Sequence, residues 1–471
     1  MSVAGRRSNS AVTPKSRAKR TQRTASTQAK GGQSLEYNIL LTATLCLLAF
    51  GAVMVYSASS ASSLLVSGGS GTGELVKFVI YGALGLFLMR LLARDGIARL
   101  QGMVAPLLAV SFVLVLAVHI PHVGVSVNGA RRWIGSGPLQ FQPSELLKLA
   151  LVLYSATLLA SRPQRVNDMR ELCKPLLAVV GAACLLVVTQ PDLGTAMVIA
   201  FTTCALLVAG GIPARNLAII AGSVVAIVAL IAIARPYERA RLTSFLNPWA
   251  HASGSGFQAV QGQIAIGSGG LFGVGPGQSV QKIFYLPEAQ TDFILAVIGE
   301  ELGVLGVVAL LFLYGMIAYA GLRVAKAARS LHSALVAVGM TSLIVSQALL
   351  NVFAVLGLAP LTGVPLPLVS YGSSSLIVTL IAMGLLLNVA AGGSAHVRAV
   401  GSSRGKRPRA VSAERGSRGA ARSSRGAVAD APPREPARWG REHSAEEDRD
   451  SRRRDGRARG SGARSGGRAA G

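Results

Sequence analysis

Apolar residues fill the middle of this chain and thin out at both ends. Between Tyr37 and Ala391, runs of 18 or more mostly apolar residues recur, each long enough to cross about 30 Å of hydrocarbon as a helix. The pattern predicts ten spans, at 37–58, 76–93, 102–120, 144–161, 174–190, 194–211, 215–235, 298–322, 333–357 and 368–391. They define an all-α polytopic membrane protein whose closely spaced helices form one membrane domain, 36–394. One connection, Pro236–Asp292, is far longer than a turn. Its aromatic, Gln and Gly content and its apolar stretches predict an ordered, functional loop. The flanks, 1–35 and 395–471, are rich in Gly, Ser, Ala and Arg without apolar periodicity, and are expected to be disordered.

Charge sharpens this picture. The 471 residues carry a net charge of +26, yet only 14% are charged. Basic residues crowd into Met1–Gln33 and the segment after Val397, so no nucleic-acid partner is expected. The tails read as solvated cytoplasmic segments, with an anionic lipid surface or acidic partner as the alternative. Arg90, Arg94 and Arg99, then Arg162, Arg165, Arg170 and Lys174, then Arg215, then Arg323, Lys326 and Arg329 mark alternate loops. The loops between them lack Lys and Arg at Ser60–Glu74, Pro191–Leu193 and Leu358–Pro367. Both termini are therefore expected in the cytoplasm. The first span lacks a convincing cleavage site and reads as a retained helix. Cys46, Cys173, Cys184 and Cys204 form no CxxC pair, so neither a disulfide nor a metal site is expected.

Two loops on the outer side keep positive charge against this bias: one with Arg131 and Arg132, the other with Arg239, Arg241 and Lys282. Such groups suit an anionic ligand, a phosphate or pyrophosphate, at the membrane surface. Pairing with local carboxylates or lipid headgroups is the alternative. Gln142-Pro143-Ser144 reads as a helix start, which sets Glu145 and Lys148 three residues apart on one face of span four. They form either a structural ion pair or part of a polar cavity. Asp192 reads as the cap of span six, with a polar contact into the outer cavity as the alternative. The Gly-rich stretch 265–277 lets backbone approach a ligand, but lacks the GK[ST] of a nucleotide loop. Asp292 ends the long loop, where partial desolvation raises a carboxylate's pKa and suits it to general-base work; capping the next helix is the competing role. Glu300 and Glu301, about 100° apart on a helix, cannot make one dyad and are expected to serve packing. Repeated Pro and Gly in Gly357–Ser375 forbid a regular helix and predict a broken segment lining a cavity, with Ser370 at its polar end.

Several strings occur together: Asn128-Gly-Ala-Arg-Arg-Trp, Phe141-Gln-Pro-Ser-Glu-Leu-Leu-Lys, Gln190-Pro-Asp-Leu-Gly-Thr-Ala, Ser279-Val-Gln-Lys with Tyr285-Leu-Pro-Glu-Ala-Gln-Thr-Asp-Phe, and Leu361-Thr-Gly-Val-Pro-Leu-Pro with Ser370-Tyr-Gly. In this order they resemble the SEDS family (shape, elongation, division and sporulation). Gly277–Lys282 and Tyr285–Ala289 look more like its division branch than its elongation branch. The resemblance implies a peptidoglycan glycosyltransferase that polymerises lipid II at the outer face of the cytoplasmic membrane, at the division septum. It implies a class B penicillin-binding protein and other division membrane proteins as partners. It maps the catalytic carboxylate onto Asp292, which would deprotonate the attacking sugar hydroxyl. Arg131, Arg132, Arg239 and Arg241 would face the leaving pyrophosphate. Lys282, Gln142, Glu145, Lys148 and Ser370 complete the expected substrate-binding set. No cofactor is assigned; a divalent cation, Mg or Mn, shared with the substrate pyrophosphate is the candidate. Ser373 stands where the family commonly has a second Gly, a mild cost if the backbone there needs positive φ. A lipid II flippase and a non-catalytic division scaffold are the alternative functions. Polar motifs concentrated at one membrane edge favour the enzyme.

Overall fold

The computed structural model describes residues 35–392 except 68–70, 128–129, 136, 138–139, 164–167, 235 and 284. The expected disordered flanks and the Asn128-Gly129 pair lie outside the described residues. In chain order the helices are α1 (Leu35–Ser67), α2 (Gly73–Gln101), α3 (Val104–Ala117), α4 (Pro143–Ser161), α5 (Met169–Thr189, with a π turn at Cys173–Leu177), α6 (Leu193–Ala209), α7 (Ala214–Ala234), α8 (Pro236–Leu246), α9 (Phe257–Gly269), α10 (Ile294–Ala327), α11 (Leu331–Val355) and α12 (Ser373–Ala390). Seven of these are long and apolar enough to span a membrane, and α3, α6 and α7 are shorter apolar helices. All ten lie at the expected spans. The long connection is ordered, carrying α8, a short 3-10 turn and α9.

Between α3 and α4 the chain forms an antiparallel hairpin, β1 (Gly124–Val127) and β2 (Ala130–Ile134), with Val127 opposite Ala130. The alternating Val125, Val127 and Ala130 around Asn-Gly are a hairpin signal in the sequence.

Helix ends follow local chemistry. Pro143 opens α4 at the first turn, where its missing N–H costs nothing. Asp192 caps α6, accepting the Thr195 N–H at 3.1 Å, as expected of it. Ser330 caps α11 in the same way through Ser333.

The middle of the bundle is built from α4, α11 and α12, whose apolar windows are 67%, 61% and 78% buried, against 22% for α2. Helix α12 lies so close to α2 that a Cβ on Gly384 would sit 2.6 Å from the Met89 carbonyl oxygen. Small residues allow this backbone approach between helices in lipid.

Helix α10 is 34 residues long, about 51 Å if straight. It breaks at Gly303, whose φ of 66° and ψ of −164° suit glycine alone. The break frees backbone groups, and the loop after α9 takes them up. Val274 and Gly275 donate to the carbonyls of Glu300 and Glu301 at 2.9 and 3.0 Å, while Val304 donates to Gly270 at 3.0 Å. The first part of α10, Ile294–Glu301, is buried throughout. Gly303→Ala adds a Cβ within 2.5 Å of backbone atoms of Leu271 and Gly273. It is expected to destabilise the purified protein by about 2 kcal/mol or more, read as a lower unfolding midpoint.

Candidate active site

The second irregular segment, 356–372, joins α11 to α12 and runs through the protein interior; Val364, Leu366, Leu368, Val369 and Ser370 are buried. Its prolines and glycines cannot form a helix, so its carbonyls need outside donors. Four side chains on three helices supply them. Arg241 on α8 donates to Leu361 at 3.3 Å, and Tyr314 on α10 donates to Pro367 at 2.5 Å. On α11, Gln347 donates to Pro365 at 3.2 Å and Asn351 to Val364 at 2.8 Å. Ser370 bonds within the segment, accepting the Leu366 N–H at 2.8 Å, and is 3% exposed. Ser373 is helical rather than left-handed and donates to the Gln140 carbonyl, so its departure from the family's usual Gly carries no backbone cost.

Asn351 also donates to the backbone carbonyl of Asp292 at 2.7 Å. One side chain therefore ties the irregular segment to the start of α10. Asp292 does not cap that helix: the N-cap residue is Phe293, with no side-chain cap hydrogen bond. The Asp292 carboxylate is half-buried and faces Gly363, where a Cβ would lie 3.8 Å from Oδ2. The Thr291 hydroxyl lies 2.9 Å from Glu288 Oε2 and 3.2 Å from Asp292 Oδ1, so its single proton serves two carboxylates. Burial, then the charge of Glu288, pushes the Asp292 carboxyl up to about 7, although the Thr291 hydrogen bond and the Arg241 charge pull it back. A carboxylate tuned near neutrality at the rim of a loop-covered bundle is suited to accept a proton.

The other expected site residues divide into two groups. Arg131 and Arg239 are exposed, and Arg241 is half-buried beside Asp292. Arg132 is occupied by scaffold: its Nε donates to the Gln190 carbonyl at 3.1 Å and its Nη2 to that of Pro191. Gln142 joins α4 to its neighbours, with its backbone N–H on Ser374 at 2.9 Å and its amide 3.4 Å from Asp192. Lys148 and Glu145 are paired at 2.9 Å with both side chains buried, and Lys148 also reaches Gln347 at 3.0 Å. Lys282 is buried too, 2.7 Å from Glu301, which also accepts from Ser57 of α1. Glu300 turns the other way, accepting from the Ser279 hydroxyl and from the Val280 N–H at 3.0 Å. The two adjacent glutamates thus part as their spacing requires, each locking α10 to the Gly-rich connection.

Sequence reading passed over Gln347, Asn351 and Glu288. The first two carried a usable signal, being polar residues four apart inside an apolar span. Glu288 carried none beyond its place in the loop.

Fold and site together define a polytopic helical membrane protein with a tuned carboxylate where its largest loop meets a broken helix. Comparison with known proteins identifies the group. The family model described as a cell cycle protein, of the FtsW, RodA and SpoVE type, matches residues 38–394, and the chain belongs to that family. It is 38% identical over 351 residues to stage V sporulation protein E of Bacillus subtilis (strain 168), covering 74% of this chain and 96% of that one. It is 40% identical over 363 residues to a probable peptidoglycan glycosyltransferase FtsW of Coxiella burnetii (strain RSA 493 / Nine Mile phase I), covering 74% and 95%. Among solved structures, a chain of a peptidoglycan synthase complex that coordinates polymerization and crosslinking aligns with a TM-score of 0.62 at 32% identity, covering 74% of this chain and 96% of that one. The rod shape determining protein RodA of Thermus thermophilus aligns with a TM-score of 0.54 at 32% identity, covering 74% and 95%.

The Lys148–Glu145 pair makes a stability prediction. Lys148→Met leaves Glu145 buried without its cation and is expected to cost about 3–5 kcal/mol. The double change Glu145→Leu with Lys148→Met is expected to recover most of that loss, as compared by thermal melts in one detergent.

Proposed function

We infer that this chain is a peptidoglycan glycosyltransferase of the division type, polymerising lipid II with Asp292 as its general base. The relatives' names and the synthase-complex neighbour support the activity. The observation that carries the base is the Asp292 environment: a carboxyl held near 7, half-buried, with Arg241 beside it. Deprotonated Asp292 takes the proton from the acceptor sugar hydroxyl. That oxygen forms the new bond to the donor's anomeric carbon as the bond to undecaprenyl pyrophosphate breaks. The leaving group departs with negative charge, which Arg241, with Arg239 and Arg131, would stabilise. Arg132 and Lys282, already engaged with protein, support the scaffold in this reading. A divalent cation, Mg or Mn, would travel with the substrate. Among the described residues no group of three or more His, Cys, Asp or Glu could hold one, so its ligands would be mainly pyrophosphate oxygens and water.

The positive-inside bias supports cytoplasmic termini and an active site at the outer membrane face. The family supports a place at the septum, among other division membrane proteins. The synthase-complex neighbour supports a class B penicillin-binding partner. A transport role draws little support, since Glu145 and Lys148 are paired with each other and Glu301 is paired with Lys282.

Wild-type protein with its penicillin-binding partner is expected to convert labelled lipid II to glycan, and Asp292→Ala and Asp292→Asn to give none while remaining folded. Equal polymer from all three would remove Asp292 as the base. A base works deprotonated, so kcat/KM is expected to fall as pH drops below about 7. Glu288→Gln removes a charge that raises the Asp292 pKa, so it is expected to move this acid limb to lower pH in the same assay.

A further inference from the structure

The connection between α9 and α10 presents an apolar surface that the proposed reaction does not use. Leu271 and Phe272 are 66% and 79% exposed. Lys282 is the one charged residue in the stretch 270–285, and it is turned inward onto Glu301. The surface therefore shows apolar side chains and no charge, an arrangement that in water would invite association.

Its place on the molecule says what covers it. Val304 and Leu305 donate backbone hydrogen bonds to Gly270 and Leu271 at 3.0 and 3.3 Å, which seats the loop against α10 just past the Gly303 break. From there α10 exposes Val304, Leu305, Val308 and Phe312, the outward apolar stripe of a membrane span. The stripe runs to Arg323, whose guanidinium pairs with Glu36 at the start of α1. From Gly303 to Arg323 a helix rises about 30 Å, one hydrocarbon thickness. Leu271 and Phe272 thus stand where α10 enters the hydrocarbon, at the edge opposite Arg323.

We propose that Leu271 and Phe272 dip into the acyl-chain boundary of the bilayer and anchor this loop to lipid. The occupant is the bilayer because the surface continues the lipid-facing stripe of α10 and shows no charge. Through the hydrogen bonds of Val274 and Gly275 to Glu300 and Glu301, the anchor also fixes the break at the end of the half-helix that follows Asp292. The test is independent of catalysis. Full-length Phe272→Trp is reconstituted without its partner in vesicles of phosphatidylglycerol and phosphatidylcholine, and the emission it adds over wild type is recorded. That emission is expected to be blue-shifted, to lose most of its intensity when the acyl chains are brominated near the headgroup, and to resist iodide. Quenching by iodide without quenching by brominated lipid overturns the proposal. So does a blue shift that appears only when the penicillin-binding protein is added, which would make the surface a protein-docking site.

Discussion

Hydrogen bonding of backbone that is not helical is the constraint on which this structure depends. In a bundle at membrane depth each freed N–H or C=O must find a partner in the protein, because lipid offers none. The chain breaks regularity at Gly303 and over 356–372, and meets the demand differently at each place. At Gly303 the partners are backbone groups of the Gly-rich loop. Over 356–372 they are polar side chains, Arg241, Tyr314, Gln347 and Asn351, reaching in from three helices. The two solutions meet at Asp292, whose carbonyl shares the Asn351 amide with Val364. The proposed base is therefore held by the same bonds that make the broken segment tolerable.

Electrostatics sorts the charged residues by the same logic. A buried charge persists only with a partner. Lys148 with Glu145, within α4, and Lys282 with Glu301, between a loop and α10, are neutralised pairs, and Lys148 also reaches Gln347 on α11. Asp292 is different: its nearest charges are one anion and one cation, acting in opposite directions, and burial decides the balance. Its proton affinity is thereby brought near neutrality, where a glycosyltransferase of this family can use it. Arg241 takes part in both systems, holding the Leu361 carbonyl and lowering the Asp292 pKa.

Much of this was legible in the sequence. Ten apolar runs predict ten apolar helices, seven of them long enough to span a membrane, because a hydrocarbon layer leaves the backbone little choice. Asp192 as a cap, the divergence of Glu300 and Glu301, and the broken character of 356–372 follow from local geometry that needs no tertiary contacts. The motifs in their order were enough to indicate the family, and the place of Asp292 at the loop's end was enough to single it out as the candidate base. What a local pattern could not supply was each cation's partner. Arg131 and Arg132 are neighbours with the same chemistry, yet alternation along β2 leaves one exposed and turns the other onto Gln190 and Pro191. Lys282, counted as a ligand for phosphate, meets Glu301 nineteen residues on only because Gly303 and the Gly-rich loop fold together. Hydrophobic length is a property of consecutive residues, so the sequence by itself determined the spans; which charges stay open to substrate depends on long-range pairing, and that only the tertiary structure decided.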